Sequence, residues 1–180
     1  MSIVLLARKL VMMAEDVWDL MTNAFDYERR RCRKHFEEVC KRTSYQLIEH
    51  RSNGNLLGFI GYWNLGKWIA IEHIAVQPKE RPDKIVPVLL EMLHSAVDKG
   101  VIVITEVDVL SADSSQTYKE LYRLCGFIEN PYIYIQPSYH KGYASFPQKI
   151  MSYPSGISYL QFKDLRSLLY RFVYGQRQIG

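Results

Sequence analysis

Short apolar runs and amphipathic stretches follow one another along the chain, and their periods predict strands and helices in a definite order. Apolar runs typical of strands cover Ile3–Leu10, Ser44–His50, the residues from Asn55 to a turn at Asn64–Gly66, Trp68–Val76, Val101–Leu110, Phe127–Gln136 and Phe146–Tyr153. Apolar residues recur at helical spacing over Glu15–Ala24, Arg31–Arg42, Ile85–Val97 and Thr117–Leu124. The predicted order is therefore β-α-α-β-β-β-α-β-α-β-β.

This order predicts a protein of the α+β class with a mixed, mostly antiparallel sheet and helices on both of its faces. The Ser155–Gly156 pair marks a predicted boundary between a domain of residues 1–154 and a tail of residues 155–180. In the tail, an apolar face predicts an amphipathic helix formed by Leu165, Leu168, Leu169, Phe172 and Val173. We expect the tail to pack on the domain, and a homodimer contact is the alternative.

The stretch from Asn55 to Pro87 is the centre of the predicted architecture. It reads as a hairpin followed by a charged loop that opens a helix, and the amides at a helix start can hold an anion. Its second strand carries Glu72 and His73 within an apolar run. Such a carboxylate is paired, exposed at an edge or placed for chemistry. Because strand side chains alternate, His73 is expected on the face opposite to Glu72.

Composition narrows the classes of function only slightly. The 180 residues suffice for one domain with a buried core, and an apolar content of 48% is ordinary for a globular protein. The net charge of +4 permits an anionic ligand without requiring nucleic acid. The basic cluster Arg29–Lys34 is either a solvated helix face or a rim that attracts an acidic or phosphorylated ligand.

The cysteines and the apolar start of the chain indicate in which cellular compartment the protein is expected. Cys32, Cys40 and Cys125 show neither a CxxC pair nor zinc spacing, which favours reduced thiols in a cytoplasmic protein without a metal site. Arg8 and Lys9 interrupt the first apolar run, which is interpreted as a strand and not as a signal peptide. No run is long enough to predict a membrane span.

Two sequence segments, IEHIAVQPKERPDKI and YKELYRLCGF, resemble the GNAT (Gcn5-related) N-acetyltransferase superfamily. The closing run NPYIYIQPSYHKGYASFPQKIMSYP is similar to a bacterial branch of that superfamily. The resemblance covers roughly residues 1–154. It implies an acyl-CoA N-acyltransferase domain that moves an acetyl group from acetyl-CoA to a primary amine of a small molecule or peptide.

The resemblance also implies residue roles. The pantetheine arm of acetyl-CoA would lie between Trp68–Val76 and Val101–Leu110, where a backbone N–H polarises the thioester carbonyl. Glu72 would deprotonate the amine and Tyr122 would protonate the departing thiolate, as a partly buried carboxylate and a phenol can. The residues expected to contact acetyl-CoA are Ile74, Ala75, Val76, Arg81, Pro82, Asp83, Lys84, Ile85, Val86 and Ser115.

The phosphate loop departs from the family pattern at two positions. Lys84 and Val86 stand where the pattern has glycines that let the backbone approach phosphate. Ser115 and Tyr118 likewise replace an Asn-x-x-Ala pattern. Three alternatives follow: acetyl-CoA binds through an altered loop, another acyl donor is used, or the protein is a non-catalytic GNAT-fold binding module.

Overall fold

The computed structural model describes residues 14–109 and 113–176 of the chain. The predicted first strand, Ile3–Leu10, lies outside the described residues. The other predicted strands and helices are present in the predicted order.

The described residues form one sheet of six strands in the order β1-β2-β3-β4-β6-β5. Only the pair β3–β4 is parallel, and the other neighbours are antiparallel. The sheet is therefore mixed and mostly antiparallel, as the apolar pattern predicts. Its strands are β1 (Tyr45–Ser52), β2 (Asn55–Asn64), β3 (Trp68–Val76), β4 (Ile102–Asp108), β5 (Ile128–Gln136) and β6 (Phe146–Tyr153).

Helices cover both faces of the sheet, which confirms the predicted layers. On the first face, one hydrophobic core joins β-strand residues to helices α1 (Glu15–Ala24), α2 (Arg33–Cys40) and α5 (Tyr159–Leu168). On the second face, a separate core involves α3 (Pro82–Ala96) and α4 (Asp113–Leu124). We call these the α1 face and the α3 face.

Three helices begin elsewhere than the periodicity predicts, and one of them is α4, which begins at Asp113 and not at Thr117. Helix α3 begins at Pro82, because a proline is tolerated at the first helical position, where its missing N–H is not needed. Helix α2 begins at Arg33, so Arg31 precedes the helix and is buried, with only 9% of its surface exposed. Arg31 is thus neither part of a solvated helix face nor part of a rim.

The C-terminal segment is built into the α1 face. A capping box of Ser158 and Gln161 starts α5, and a π-helical turn at Leu169–Val173 follows the helix. Their apolar residues are buried in the same core as α1 and α2, namely Ile157, Phe162, Leu165, Leu169 and Val173. The segment therefore contributes to the core.

Two irregularities in β3 open the sheet. The pairing with β4 ends at Ile71 and Thr105, although both strands continue beyond that point. The register with β2 also shifts, because Gly61 faces His73 while Tyr62 faces Ile71, which leaves Glu72 as the extra residue of a β-bulge.

The bulge corrects the expectation that Glu72 and His73 lie on opposite faces. The alternation of side chains is interrupted at a bulge. Glu72 bonds to Arg31 and Trp63, and His73 packs edge-on against Phe25 of the α1 face. Both side chains therefore lie on the α1 face.

Candidate active site

A cavity of about 430 Å³ lies where β3 and β4 separate. Residues on both faces of the sheet line it. The α3 face contributes Tyr118 and Tyr122 of α4, and the connection after α1 contributes Phe25, Asp26 and Arg29. The strands contribute Ile71, Glu72, His73 and Ile74 of β3, Thr105, Glu106, Val107 and Asp108 of β4, and Gln136 and Gln148 of β5 and β6. The gap thus connects the two faces of the sheet.

Glu72, the predicted base, is held in a buried ion pair. Its Oε1 accepts from Arg31 at 2.7 Å and 3.0 Å, and its Oε2 accepts from the Trp63 indole at 3.0 Å. Its side chain is only 1% exposed. Burial alone would raise the pKa of Glu72, but the charge and hydrogen bonds of Arg31 and Trp63 outweigh burial and lower it.

A carboxylate with a lowered pKa and two occupied oxygens is a poor proton acceptor. In this geometry Glu72 is a paired carboxylate, one of the three possibilities for its place in an apolar run, and its role as the base stays a prediction. Arg31, which also donates to the Val173 carbonyl, fixes the C-terminal segment against β3 through the same ion pair.

Glu106 is a second carboxylate at the gap, and no arginine in residues 14–109 or 113–176 pairs with it. The Tyr174 hydroxyl lies 3.0 Å from each of its carboxylate oxygens. Burial, opposed by that hydrogen bond and reinforced by the nearby charge of Glu72, raises the pKa of Glu106 to about 8. Glu106 therefore has a raised pKa of the kind that a general base working near neutral pH requires.

The sequence contains a signal for Glu106 that periodicity alone misses. The run VIVITEVDVL is apolar enough to predict a strand, but Glu106 and Asp108 alternate with apolar residues within it. Ile104 is buried in the α1-face core, so the two carboxylates two and four residues later share that face. Glu106 and Asp108 thus form a row of polar side chains on the α1 face of β4, which we call the polar stripe.

A chain of hydrogen bonds extends this stripe across three strands. Gln136 Nε2 donates to the Tyr174 hydroxyl at 2.9 Å, and Gln148 Nε2 donates to Gln136 Oε1 at 2.8 Å. Gln148 Nε2 also lies 3.0 Å from Asp108 Oδ1, which accepts from Arg29 at 2.9 Å. The chain of hydrogen bonds links Glu106 to Arg29 and orients the Gln136 and Gln148 amides.

Tyr122, the predicted acid, lines the cavity from the α3 face. It is 3% exposed, and its side chain hydrogen-bonds to Thr105, the last β4 residue that pairs with β3. Burial raises the pKa of its phenol, so the hydroxyl keeps its proton at neutral pH. Its role as the acid stays a prediction.

The residues expected to contact acetyl-CoA fall into two groups. Ile74, Ala75 and Val76 pair with β2 on one edge, and no strand of the described residues pairs with their other edge, which faces the gap. Ser115 lies in the first turn of α4. Arg81 to Val86 form the start of α3 outside the cavity lining, and their contacts with acetyl-CoA stay predictions.

The start of α3 has local partners of its own. Arg81 donates to Asp83 at 2.7 Å, and both side chains are exposed. Ile85 and Val86 are buried in the α3-face core, while Lys84 is exposed. The Val86 side chain is therefore part of the core and not of the exposed surface at the helix start.

The described residues show neither a metal-binding cluster nor a membrane-spanning helix. No group of three or more His, Cys, Asp and Glu side chains in residues 14–109 and 113–176 is arranged to hold a metal ion. None of the described helices has both the length and the apolar character that crossing a membrane requires.

Comparison with known proteins identifies the class of fold. No protein-family model matches the chain. No curated protein matches it either. Solved structures do match, and the three reported below share between 15% and 22% of their residues with this chain.

A protein of Bacteroides thetaiotaomicron assigned to the GNAT family of acetyltransferases superposes with a TM-score of 0.81 at 22% identity, covering 91% of this chain and 92% of that one. The ribosomal-protein-S18-alanine N-acetyltransferase of Escherichia coli gives a TM-score of 0.58 at 22% identity, covering 78% and 86%. A Bacillus subtilis acetyltransferase solved in complex with CoA gives 0.51 at 15% identity, covering 77% and 91%.

The chain thus has an acyltransferase-type fold, in which a mixed sheet opens between two parallel strands. More specifically, it has the fold of the GNAT acetyltransferases, as the sequence resemblance implies.

Proposed function

We propose that the protein is an N-acetyltransferase that moves the acetyl group of acetyl-CoA to a primary amine by direct attack. The observation that carries the proposal is the gap between β3 and β4, where Glu106 and Tyr122 approach one cavity from opposite faces of the sheet. A base on one face and an acid on the other suit an amine that attacks a thioester lying in the gap.

The donor side is formed by β3 and the starts of α3 and α4. The edge of Ile74–Val76 that faces the gap offers backbone groups to the pantetheine arm and one N–H to the thioester oxygen. Lys84, exposed at the first turn of α3, supplies a charge for the pyrophosphate. Ser115, in the first turn of α4, is the remaining residue that contacts acetyl-CoA on this side in the proposal.

The protonation states of Glu106 and Tyr122 assign their roles as base and acid. Glu106, ionised above its raised pKa, takes one proton from the ammonium, and we assign the base to it and not to Glu72. The free amine then attacks the carbonyl carbon, forming a C–N bond and an oxyanion. As the C–S bond breaks, the electron pair leaves with sulfur and the Tyr122 phenol donates its proton to the thiolate.

A thiol-release assay tests the proposal. Purified protein is mixed with acetyl-CoA and a panel of primary amines, and free CoA is measured by its thiol. We expect amine-dependent thiol release, together with a rise in melting temperature when CoA binds.

A Tyr122→Phe variant should keep the CoA-induced shift and lose turnover. Tyr153→Phe is the matched control, because Tyr153 packs on the same face and does not line the cavity. Tight CoA binding with no thiol release from any amine would instead favour a non-catalytic binding module. The absence of any CoA-induced shift at millimolar concentration would remove the donor side of the proposal.

A further inference from the structure

The two carboxylates of the polar stripe, Glu106 and Asp108, are joined by hydrogen bonds that pass through neighbouring parts of the fold. The link consists of the Gln148 amide, the Gln136 amide and the Tyr174 hydroxyl, which together we call the amide relay. The two glutamines are only 5% and 8% exposed, and the bonds of the relay are 2.8 to 3.0 Å long. The relay is therefore a closely bonded link whose amides are buried.

Asp108 determines the direction of the first bonds in the relay. Its Oδ1 accepts from Arg29 at 2.9 Å, and an ionised carboxylate offers acceptors and no donor. Gln148 must therefore present Nε2 to Asp108, and the same Nε2 donates to Gln136 Oε1. Gln148 Oε1 has no partner among the described residues, so the amide holds this orientation although it leaves its own acceptor unpaired.

The same order continues to Glu106. Because Gln136 Oε1 accepts from Gln148, Gln136 Nε2 donates to the Tyr174 oxygen at 2.9 Å. That oxygen is an acceptor already, and the hydroxyl hydrogen is directed to Glu106, whose two oxygens both lie 3.0 Å away. A donated hydrogen bond stabilises an ionised carboxylate, whereas a neutral carboxylic acid needs an acceptor for its own proton. The relay thus favours the ionised form of Glu106.

The ionisable groups of the described residues that face Glu106 keep one protonation state while Glu106 titrates. Burial raises the pKa of each tyrosine around it, and the charge of Arg31 lowers the pKa of Glu72 despite burial. The direction of the relay is therefore the variable that remains. The groups are Glu72 of β3, Tyr134 of β5, Tyr139 of the loop after β5, and Tyr170 and Tyr174 of the C-terminal segment.

We propose that Asp108, held by Arg29, is a positioning residue that fixes the direction of the Glu106 hydrogen bond through the amide relay. Asp108 acts through the relay and takes no proton from the substrate. The function of Glu106 as a base rests on the proposed acetyl transfer, whereas the direction of the relay does not.

An Asp108→Asn variant separates the relay from ordinary electrostatics by the sign of its effect. Loss of a nearby negative charge alone would lower the pKa of Glu106. In the relay, the new amide can donate to Gln148, and both glutamine amides can then reverse. Tyr174 would donate to Gln136 and no longer to Glu106. The pKa of Glu106 should therefore rise by about one unit.

The pKa is measured by ¹³C NMR on the full chain, labelled at the glutamate side-chain carboxyl and titrated without acyl donor or amine. Glu106→Gln identifies the signal by its loss. Asp26→Asn is the charge control, because it removes a carboxylate that lines the cavity and has no place in the relay. This control should leave the pKa of Glu106 unchanged or lower it.

A second background shows whether the effect passes through the hydroxyl. In Tyr174→Phe, the relay no longer reaches Glu106, so adding Asp108→Asn should not raise the pKa of Glu106 further. If Asp108→Asn fails to fold, Gln148→Leu takes its place. That variant removes no charge and frees the Gln136 amide, so it should also raise the pKa of Glu106, and only when Tyr174 is present.

The outcomes separate this proposal from acetyl transfer. A pKa of Glu106 that falls or stays constant in Asp108→Asn, an equal rise in Asp26→Asn, or an equal rise in the Tyr174→Phe background overturns the relay. Amine-dependent thiol release by the unaltered protein would then leave acetyl transfer intact. The expected rise, lost in the Tyr174→Phe background and without thiol release from any amine, supports the relay and removes the transferase.

Discussion

Glu72 and Glu106 are two carboxylates on neighbouring strands of one cavity, and their surroundings give them opposite properties. Glu72 has an arginine and an indole as partners, which lower its pKa despite burial. Glu106 has a tyrosine hydroxyl and, within the part of the chain that the structure describes, no cation as partner, and burial raises its pKa to about 8. Residue type and burial are the same in both, so the partner decides which carboxylate exchanges a proton at neutral pH.

The two carboxylates also depend on each other. The fixed negative charge of Glu72 is one of the causes that raise the pKa of Glu106. A strongly paired anion beside the cavity therefore helps to hold its neighbour in the range where a base operates. Three further variants test this division between a structural and a reactive carboxylate.

The largest expected effect is on the rate of the Glu106→Gln variant. Removal of a general base typically slows a reaction about 10²- to 10⁴-fold, so kcat should fall by that order. In the unaltered protein, kcat/KM should rise as the pH passes through about 8, because the base works only after it has lost its proton. The measurement is a pH–rate profile, and the variant's residual rate should lack this rise.

Glu106→Asp keeps the carboxylate and is the matched control, expected to restore part of the pH dependence. If Glu106→Gln kept full activity, another residue would have to be the base. Loss of activity in Glu72→Gln with unchanged stability would point to Glu72 itself.

The next effect is on stability, in the Glu72→Gln variant. It leaves the Arg31 guanidinium buried without its counter-ion, and breaking such a pair typically costs about 3–5 kcal/mol of unfolding free energy. Urea denaturation measures the loss. Replacing both partners with methionine should recover most of it, because no unpaired charge remains. A double variant no more stable than Glu72→Gln would argue against the ion pair as the source of the loss.

The smallest effect is expected in Tyr174→Phe. Without the hydroxyl, the ionised form of Glu106 loses a hydrogen bond, so the pKa of Glu106 should rise further and the rise in kcat/KM should move to higher pH by about one unit. Tyr170→Phe is the control, because the Tyr170 hydroxyl bonds to the Ile135 carbonyl. A shift to lower pH, or an equal shift in both variants, would contradict the role of Tyr174.

The fold was largely predictable, because strands and helices differ in the period of their apolar residues. The hairpin of β2 and β3 and the amphipathic α3 follow from local sequence. The gap after Ile71 and Thr105 does not, since it depends on where two distant strands stop pairing. The bulge at Glu72 is likewise a property of the pairing with β2, and it alone moves His73 to the α1 face.

The candidate site was predictable only in part, for the same reason. Tyr122 and Glu72 lie at the cavity as expected, but the partner that changes the chemistry of Glu72 is Arg31, 41 residues away in sequence. Tyr174, which bonds to Glu106 from 68 residues away, belongs to the predicted C-terminal tail, outside the predicted domain of residues 1–154. No spacing rule connects residues so far apart, whereas the acids of β4 were visible in the sequence.

The contact of Arg31 with the Val173 carbonyl has a consequence for synthesis on the ribosome. It joins residues 142 positions apart, and Tyr174 lies directly beside it. At about 5–20 residues per second, roughly 7 to 28 seconds separate the synthesis of the two partners. Glu72 and Glu106 are both made before the C-terminal segment that covers them, so a newly made chain acquires its polar cavity only after translation has passed Tyr174.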